Sequence, residues 1–236
     1  MTASPEPRFA RIGAMIGDPT RARMLAALLA GEHLTQGEVA RAAGVTPQTA
    51  SGHLKQLIDA ELIAVRAQGR HRYFRLADAD VAHALEALAL VAERGHATGK
   101  WSRGSYRPLR LARSCYGHLA GQLGVALHDT LVERKLLETN QGEYLLTEAG
   151  HCWLRTVGVD DTMLARPARR LAYLCLDWSE RRDHLAGGLA VALLDYFIAR
   201  KWLSRQAGSR ALIPTACGRE NLSRLLPGRS SDLRLG

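Results

Sequence analysis

Ten residues in the second half of the chain, HLAGQLGVAL at 118–127, return as HLAGGLAVAL at 184–193 with two changes. Such a recurrence commits that half to one unit built twice, and tandem copies commonly pack about a pseudo-twofold axis. The longer copies read RLARSCYGHLAGQLGVALHDTLVERKLLETNQGEYLLTEAGHCWL and RLAYLCLDWSERRDHLAGGLAVALLDYFIARKWLSRQAGSRALIPTACGRENL. In each, an amphipathic helix opens the copy and runs to ERKLL or ARKWL. Gly142 or Gly208 then signals a hairpin, and Thr147 or Thr215 caps a further helix. This order predicts two winged-helix-like halves, at about 110–160 and 170–226, in a C-terminal effector domain over 108–236.

A pseudo-twofold axis sets corresponding positions together, with Cys115 opposite Cys175 and His118 opposite His184. Two thiolates and two imidazoles have the number and softness of tetrahedral zinc ligands, so zinc or another transition metal is one reading. A redox switch is a second, and an organic ligand beside Tyr116 and Trp178 is a third. Small buried thiols with histidines that only satisfy a helix make a fourth. Between Cys175 and its histidine the second copy inserts LDWSERRD, adding Asp177, Trp178, Glu180 and Asp183. Cys152 and Cys217 are not equivalent, since Cys217 aligns with Ala149, and both read as packing residues.

The first half carries a series of helix punctuation marks. Helical spacing from Phe9 to Gly17 stops at Asp18-Pro19, where proline suits the first turn of a new helix through Arg21, Met24, Leu25, Leu28 and Leu29 that Gly31 ends. Thr35 with Glu38 forms a capping box, Val39 and Ala42 face one way, and Gly44 forces a turn. Thr46 caps the next helix and Pro47 opens it. Two short helices joined by a Gly-containing turn are a helix-turn-helix. In the second, Leu54, Leu57 and Ile58 make the buried stripe. Thr46 stands at its mouth, and Gln48, Thr49, Ser51, His53, Lys55 and Gln56 lie on the other faces, side chains that read base edges or phosphates. Alternation around Gly69 then predicts a hairpin whose Arg66, Arg70, Arg72 and Arg75 make a basic wing; a solvated hairpin edge guarded by arginines is the plainer alternative. The fold class is α+β, mainly helical with small hairpin wings, the winged helix-turn-helix and dimerisation domain occupying 1–99.

The run IGDPTRARMLAALLAGEHLTQGEVARAAGVTPQTASGHLKQLIDAELIAVRAQGRHRYFRL resembles the core of the ArsR family of bacterial regulators, over about residues 8–95. The resemblance implies that the helix at 46–60 is the recognition helix, that the Gly69 hairpin is the wing, and that the flanking helices hold a homodimer. It further implies an inverted repeat of double-stranded DNA, repression, and release when a small effector binds. The whole chain resembles a subgroup of ArsR-like regulators with a CYGHLAG-type extension. Metal-sensing members often carry cysteine in the first helix of the reading pair, whereas this chain has LTQGEV there. A second family site uses an acid and histidines on the dimer helix, for which DADVAHALEALALVAERGH offers Asp80, His83, Glu93 and His96. Their spacing is shifted from the family register, and ordinary surface residues on a polar helix face compete with an alternative metal site there.

Lys and Arg number 32 against 23 Asp and Glu, a net charge of +9 that favours polyanionic partners. No apolar run approaches the ~20 residues of a membrane span. Four cysteines without a CxxC pair, and no basic-then-apolar leader, suit a reduced cytoplasm. The chain has no GxSxG, GxxxxGK[ST] or HExxH, and no GxGxxG after a strand, so an enzyme is not expected. The competing readings are a sequence-tolerant architectural DNA binder and an enzyme with an N-terminal interaction module.

Overall fold

The computed structural model describes residues 9–29, 33–69, 71–92, 107–140, 143–159, 164, 170–207, 209–229 and 233. Arg70, Glu93, His96, Gly142 and Gly208 lie outside the described residues. Backbone proximity divides the chain into two compact units, 1–82 and 83–236.

In the N-terminal unit the punctuation marks act where they stand. Helix α1 (Phe9–Gly17) stops at Asp18, whose extended backbone and carboxylate begin α2 (Pro19–Leu28) by accepting the Thr20 and Arg21 N–H groups, each at 2.9 Å. Thr35 accepts the Glu38 N–H while the Glu38 carboxylate accepts the Thr35 N–H at 2.7 Å, and this reciprocal cap opens α3 (Gln36–Ala43). Gly44, left-handed at φ 70°, closes α3, and Thr46 caps α4 (Pro47–Asp59). Met24, Leu25 and Leu28 of α2 are buried, as are Val39, Ala40 and Ala43 of α3 and Ala50, Leu54 and Leu57 of α4. The hairpin of β2 (Ile63–Gln68) and β3 (His71–Leu76) is joined by a strand not expected from the sequence, β1 (Leu34–Thr35), in the order β1-β3-β2. Helix α5 (Ala79–Ala92) follows and spans the division between the units.

After the short α6 (Arg107–Leu111), the first repeat of the C-terminal unit runs β4 (Arg113–Cys115), β5 (His118–Ala120), α7 (Gln122–Glu133), β6 (Leu137–Asn140), β7 (Glu143–Leu146) and α8 (Glu148–Val157). The second runs β8 (Tyr173–Leu176), β9 (Asp183–Ala186), α9 (Gly188–Ala199), β10 (Leu203–Arg205), β11 (Leu212–Pro214) and α10 (Ala216–Leu225). The expected helix, hairpin and Thr-capped helix are present in both. Each repeat opens on a Cys/His hairpin rather than on a helix. In the first, Tyr116 and Gly117 both hold positive φ, 47° and 90°, the geometry of a two-residue hairpin turn. A left-handed residue two places past the helix recurs at Glu61, Lys135 and Lys201, with φ of 60°, 55° and 58°, and turns α4, α7 and α9 each into its hairpin.

The repeats exchange strands. β7 of the first lies beside β8 of the second, with Glu143 opposite Tyr173 and the Tyr144 N–H donating to Ala172 O at 2.9 Å. Reciprocally, Arg113 of the first is bridged to Ala211 of the second, and the Leu212 N–H donates to Ala112 O at 2.9 Å. Each repeat's second hairpin therefore borders the other repeat's Cys/His hairpin. One hydrophobic core takes Leu119, Leu123, Leu127 and Leu131 from one copy and Leu185, Leu189, Leu193 and Phe197 from the other. The glycine of each HLAG is required: Gly121 and Gly187 hold φ of 80° and 97°, and a Cβ would stand 2.6 Å from Arg110 O and 2.7 Å from Leu171 O.

Cys152 and Cys217 correct the sequence reading, since both are exposed rather than packed. Gly150, Trp153 and Leu154 make the buried face of α8, and Gly218, Leu222 and Leu225 that of α10, so both thiols point outward.

Candidate functional sites: a DNA-reading face and a buried Cys/His centre

The outer face of α4 begins at Thr46, whose hydroxyl lies 2.9 Å from that of Thr49 and accepts the Thr49 N–H at 3.2 Å. Gln48, Thr49, Ser51 and Lys55 are exposed along it. Gln56 is exposed as well, and it and His53 contact residues at the start of α2. Gln56 accepts a hydrogen bond from the Arg21 guanidinium at 2.6 Å, and half-buried His53 places Nδ1 3.8 Å from the Asp18 carboxylate. Position 53 flanks the buried stripe of Ala50, Leu54 and Leu57, which accounts for the half-burial of His53, while Gln56 stays exposed. On the hairpin, Arg66 and Arg72 are exposed, with the Arg72 guanidinium 5.7 Å from the Phe74 ring centre. Arg75 is half-buried and donates to Leu76 O at 3.0 Å and Ala77 O at 2.8 Å, unlike the exposed Arg66 and Arg72.

Of the alternative metal set, Asp80 is exposed and His83 lies edge-on to Tyr173, ring centres 5.6 Å apart. Among the described residues neither joins a cluster of metal-ligating side chains.

The Cys/His pairs do come together. Cys115 faces His118 across the β4–β5 hairpin, and Cys175 faces His184 across β8–β9. The two hairpins bring one ligand atom from each of the four residues within 4.8 Å of one another, and His118 Nε2 lies 3.0 Å from His184 Nε2. Exposure is 1% for Cys115, 3% for His118, 6% for Cys175 and 0% for His184. The hydrogen bond with Cys175, together with burial, pushes the Cys115 thiol up to about 12, and burial pushes the His118 imidazole down. Tyr116 occupies the first turn position of the hairpin, and Trp178 is buried with the Arg113 guanidinium 4.5 Å from its ring centre.

A second layer of charge stands behind the histidines. Asp177, fully buried, places Oδ2 3.5 Å from His184 Nδ1 and accepts the Gly121 N–H of the other repeat at 2.7 Å. Its Oδ1 accepts from Arg113 at 2.9 Å, from the Ser179 hydroxyl at 2.8 Å and from the Ser179 N–H at 2.9 Å. Burial opposes ionisation of Asp177, but Arg113, His184 and these donors outweigh it and hold the carboxyl well below the usual carboxylate range. Arg113 is itself 0% exposed, its guanidinium 3.9 Å from buried Glu86 of α5, which also pairs with Arg210. The sequence marked Asp177 only as an inserted acid. Arg113 and Glu86 carried no signal, since arginine and glutamate are expected at the surface.

The helix-turn-helix domain family matches residues 16–66. Over 213 residues, 90% of this chain and 94% of that protein, the sequence is 37% identical to the HTH-type transcriptional regulator YdfF of Bacillus subtilis (strain 168). The chain belongs to the HTH-type transcriptional regulators. The regulator is also 38% identical over 86 residues to the HTH-type transcriptional regulator CmtR of Mycobacterium tuberculosis, covering 36% of the regulator and 72% of that protein. The solved structure of CmtR, described as a cadmium metal-sensor, matches with 38% identity and a TM-score of 0.31 over 35% of the regulator and 85% of that chain. The homodimeric winged helix-turn-helix domain of Mb0332 from Mycobacterium bovis matches with 28% identity and a TM-score of 0.36 over 42% and 96%.

Proposed function

We propose that the regulator is a homodimeric, sequence-specific repressor that leaves its operator when a small effector acts on the C-terminal unit. The observation that carries this reading is the solvent-facing row Thr46, Gln48, Thr49, Ser51 and Lys55 on α4, with Arg66 and Arg72 on the neighbouring hairpin. A helix of that width enters the major groove, where Gln pairs with adenine edges and Thr or Ser with bases or phosphates. Lys55 and the hairpin arginines neutralise phosphates and fix the register. Pairing of two chains is supported by apolar side chains exposed on the terminal helices of the domain: Phe9, 75% exposed, on α1, and Leu88 and Val91, 46% and 50% exposed, on α5. In this reading the sensing element is the buried Cys/His centre. A reduced cytoplasm suits four free cysteines, and among the described residues no helix is long and apolar enough to cross a membrane.

The test is titration of the regulator onto its own promoter fragment and onto random duplex at fixed salt, with and without zinc, cadmium, an oxidant or small aromatics. The expected preference is on the order of 10³-fold or more, over an inverted repeat, and lost with one effector class. Near-equal affinity for both duplexes overturns the reading in favour of an architectural DNA binder.

A further inference from the structure

We infer that Cys115, His118, Cys175 and His184 bind one zinc-class divalent ion at the axis relating the two repeats of the C-terminal unit. For its regulatory meaning this rests on the reading of that unit as the effector domain; the binding itself stands on the geometry.

A tetrahedral ion with bonds of about 2.3 Å to sulfur and about 2.0 Å to nitrogen spaces its donors about 3.3–3.8 Å apart. The four ligand atoms lie within 4.8 Å of one another before any ion draws them in, and the two Nε2 atoms at 3.0 Å already face each other. A donor set of two sulfurs and two nitrogens suits a borderline-soft d10 ion and not calcium or magnesium, which take oxygen. Four protein ligands in a closed pocket fill the coordination sphere, the pattern of a structural or sensory ion rather than a catalytic one. The Asp177 carboxylate stands 3.5 Å from His184 Nδ1, an atom with no hydrogen bond among the described residues, on the ring edge away from the ligand cluster, leaving Nε2 for the ion. Each hairpin supplies one Cys opposite one His, so each repeat holds half a site and the ion fastens the halves together.

The test uses the full chain purified under reducing conditions without a metal-binding tag. Elemental analysis is expected to find about one zinc per chain. Chelator-stripped protein titrated with cobalt(II) should show the intense visible bands of tetrahedral cobalt and a thiolate-to-cobalt charge-transfer band, both abolished by added zinc. Cys115→Ser and Cys175→Ser should each remove part of the charge-transfer band. Weak, octahedral cobalt absorption from the wild-type chain overturns the inference whatever the variants do, as does zinc content unchanged in the double Cys→Ser variant. Operator binding measured on the same samples separates the two readings. A chain that holds zinc here yet binds operator identically with and without it keeps the site and loses the sensing function.

Discussion

Asp177 shows how much one side chain decides in this chain. It accepts a backbone N–H from the other repeat, neutralises a fully buried arginine and stands behind a candidate ligand. Asp177→Asn should keep the cobalt spectrum tetrahedral while weakening cobalt affinity by roughly ten- to a hundredfold, as loss of an outer-shell carboxylate does; unchanged affinity in the titration would remove it as a positioning residue. On α4 the residues divide by contact. Gln48→Ala or Thr49→Ala should relax base preference by ~1–3 kcal/mol per lost base contact. Lys55→Ala or Arg72→Ala should weaken binding on every duplex and lower the salt slope by about one each. Anisotropy titrations on operator and scrambled duplexes over a salt series distinguish the two, and four unchanged variants would displace α4 as the reading helix. Gln56, tied to Arg21, should give the smallest effect on base preference.

Among the elements, the first four helices were legible because each terminus is written locally. Asp18-Pro19, Thr35 with Glu38, Gly44 and Thr46-Pro47 act on backbone groups two or three residues away, so the sequence and the structure express the same chemistry. The Cys/His hairpins were not legible. Arg113, Ser114 and Cys115 are all buried, which erases the period-two alternation that identifies a strand, and the partner of β4 on its other edge is a bridge to Ala211, far along the chain. β1, two residues long, is too short to carry any period. The caps also imply a pH dependence. The Asp18 carboxyl is held below its ordinary value by the Arg21 N–H, and the Glu38 carboxyl by its hydrogen bonds to Thr35. A group lowered on folding stabilises the fold above its unfolded value and loses that contribution as pH falls through the folded one. Urea unfolding of the N-terminal unit should therefore weaken progressively below about pH 5, and Thr35→Ala should cost ~1 kcal/mol at neutral pH and flatten that slope. An identical slope in Thr35→Ala would dissociate the cap from the effect.

For the whole molecule, the duplication was visible as a repeated string, and so was the meeting of corresponding Cys and His; the strand exchange was not, because pairing between distant segments leaves no local mark. A line of buried charge runs from His184 through Asp177 and Arg113 to Glu86 on α5. Burial opposes ionisation of Glu86, yet Arg210 and Arg113 hold it below the usual carboxylate range. Glu86→Gln should leave the cobalt spectrum as it is while shrinking the difference in operator affinity between zinc-loaded and stripped protein, a difference typically worth ~1–3 kcal/mol. A difference of undiminished size in that variant would show that α5 is informed by another route. The reciprocal exchange of hairpins has a last consequence. A lone copy would expose both the strand edge and the apolar helix that its twin now covers, and would possess one thiol and one imidazole of the four. Half a gene could thus yield a stable product only by self-association, at a concentration-dependent cost; joining the twins in a single polypeptide makes their encounter intramolecular, so the centre assembles equally well however dilute the regulator is.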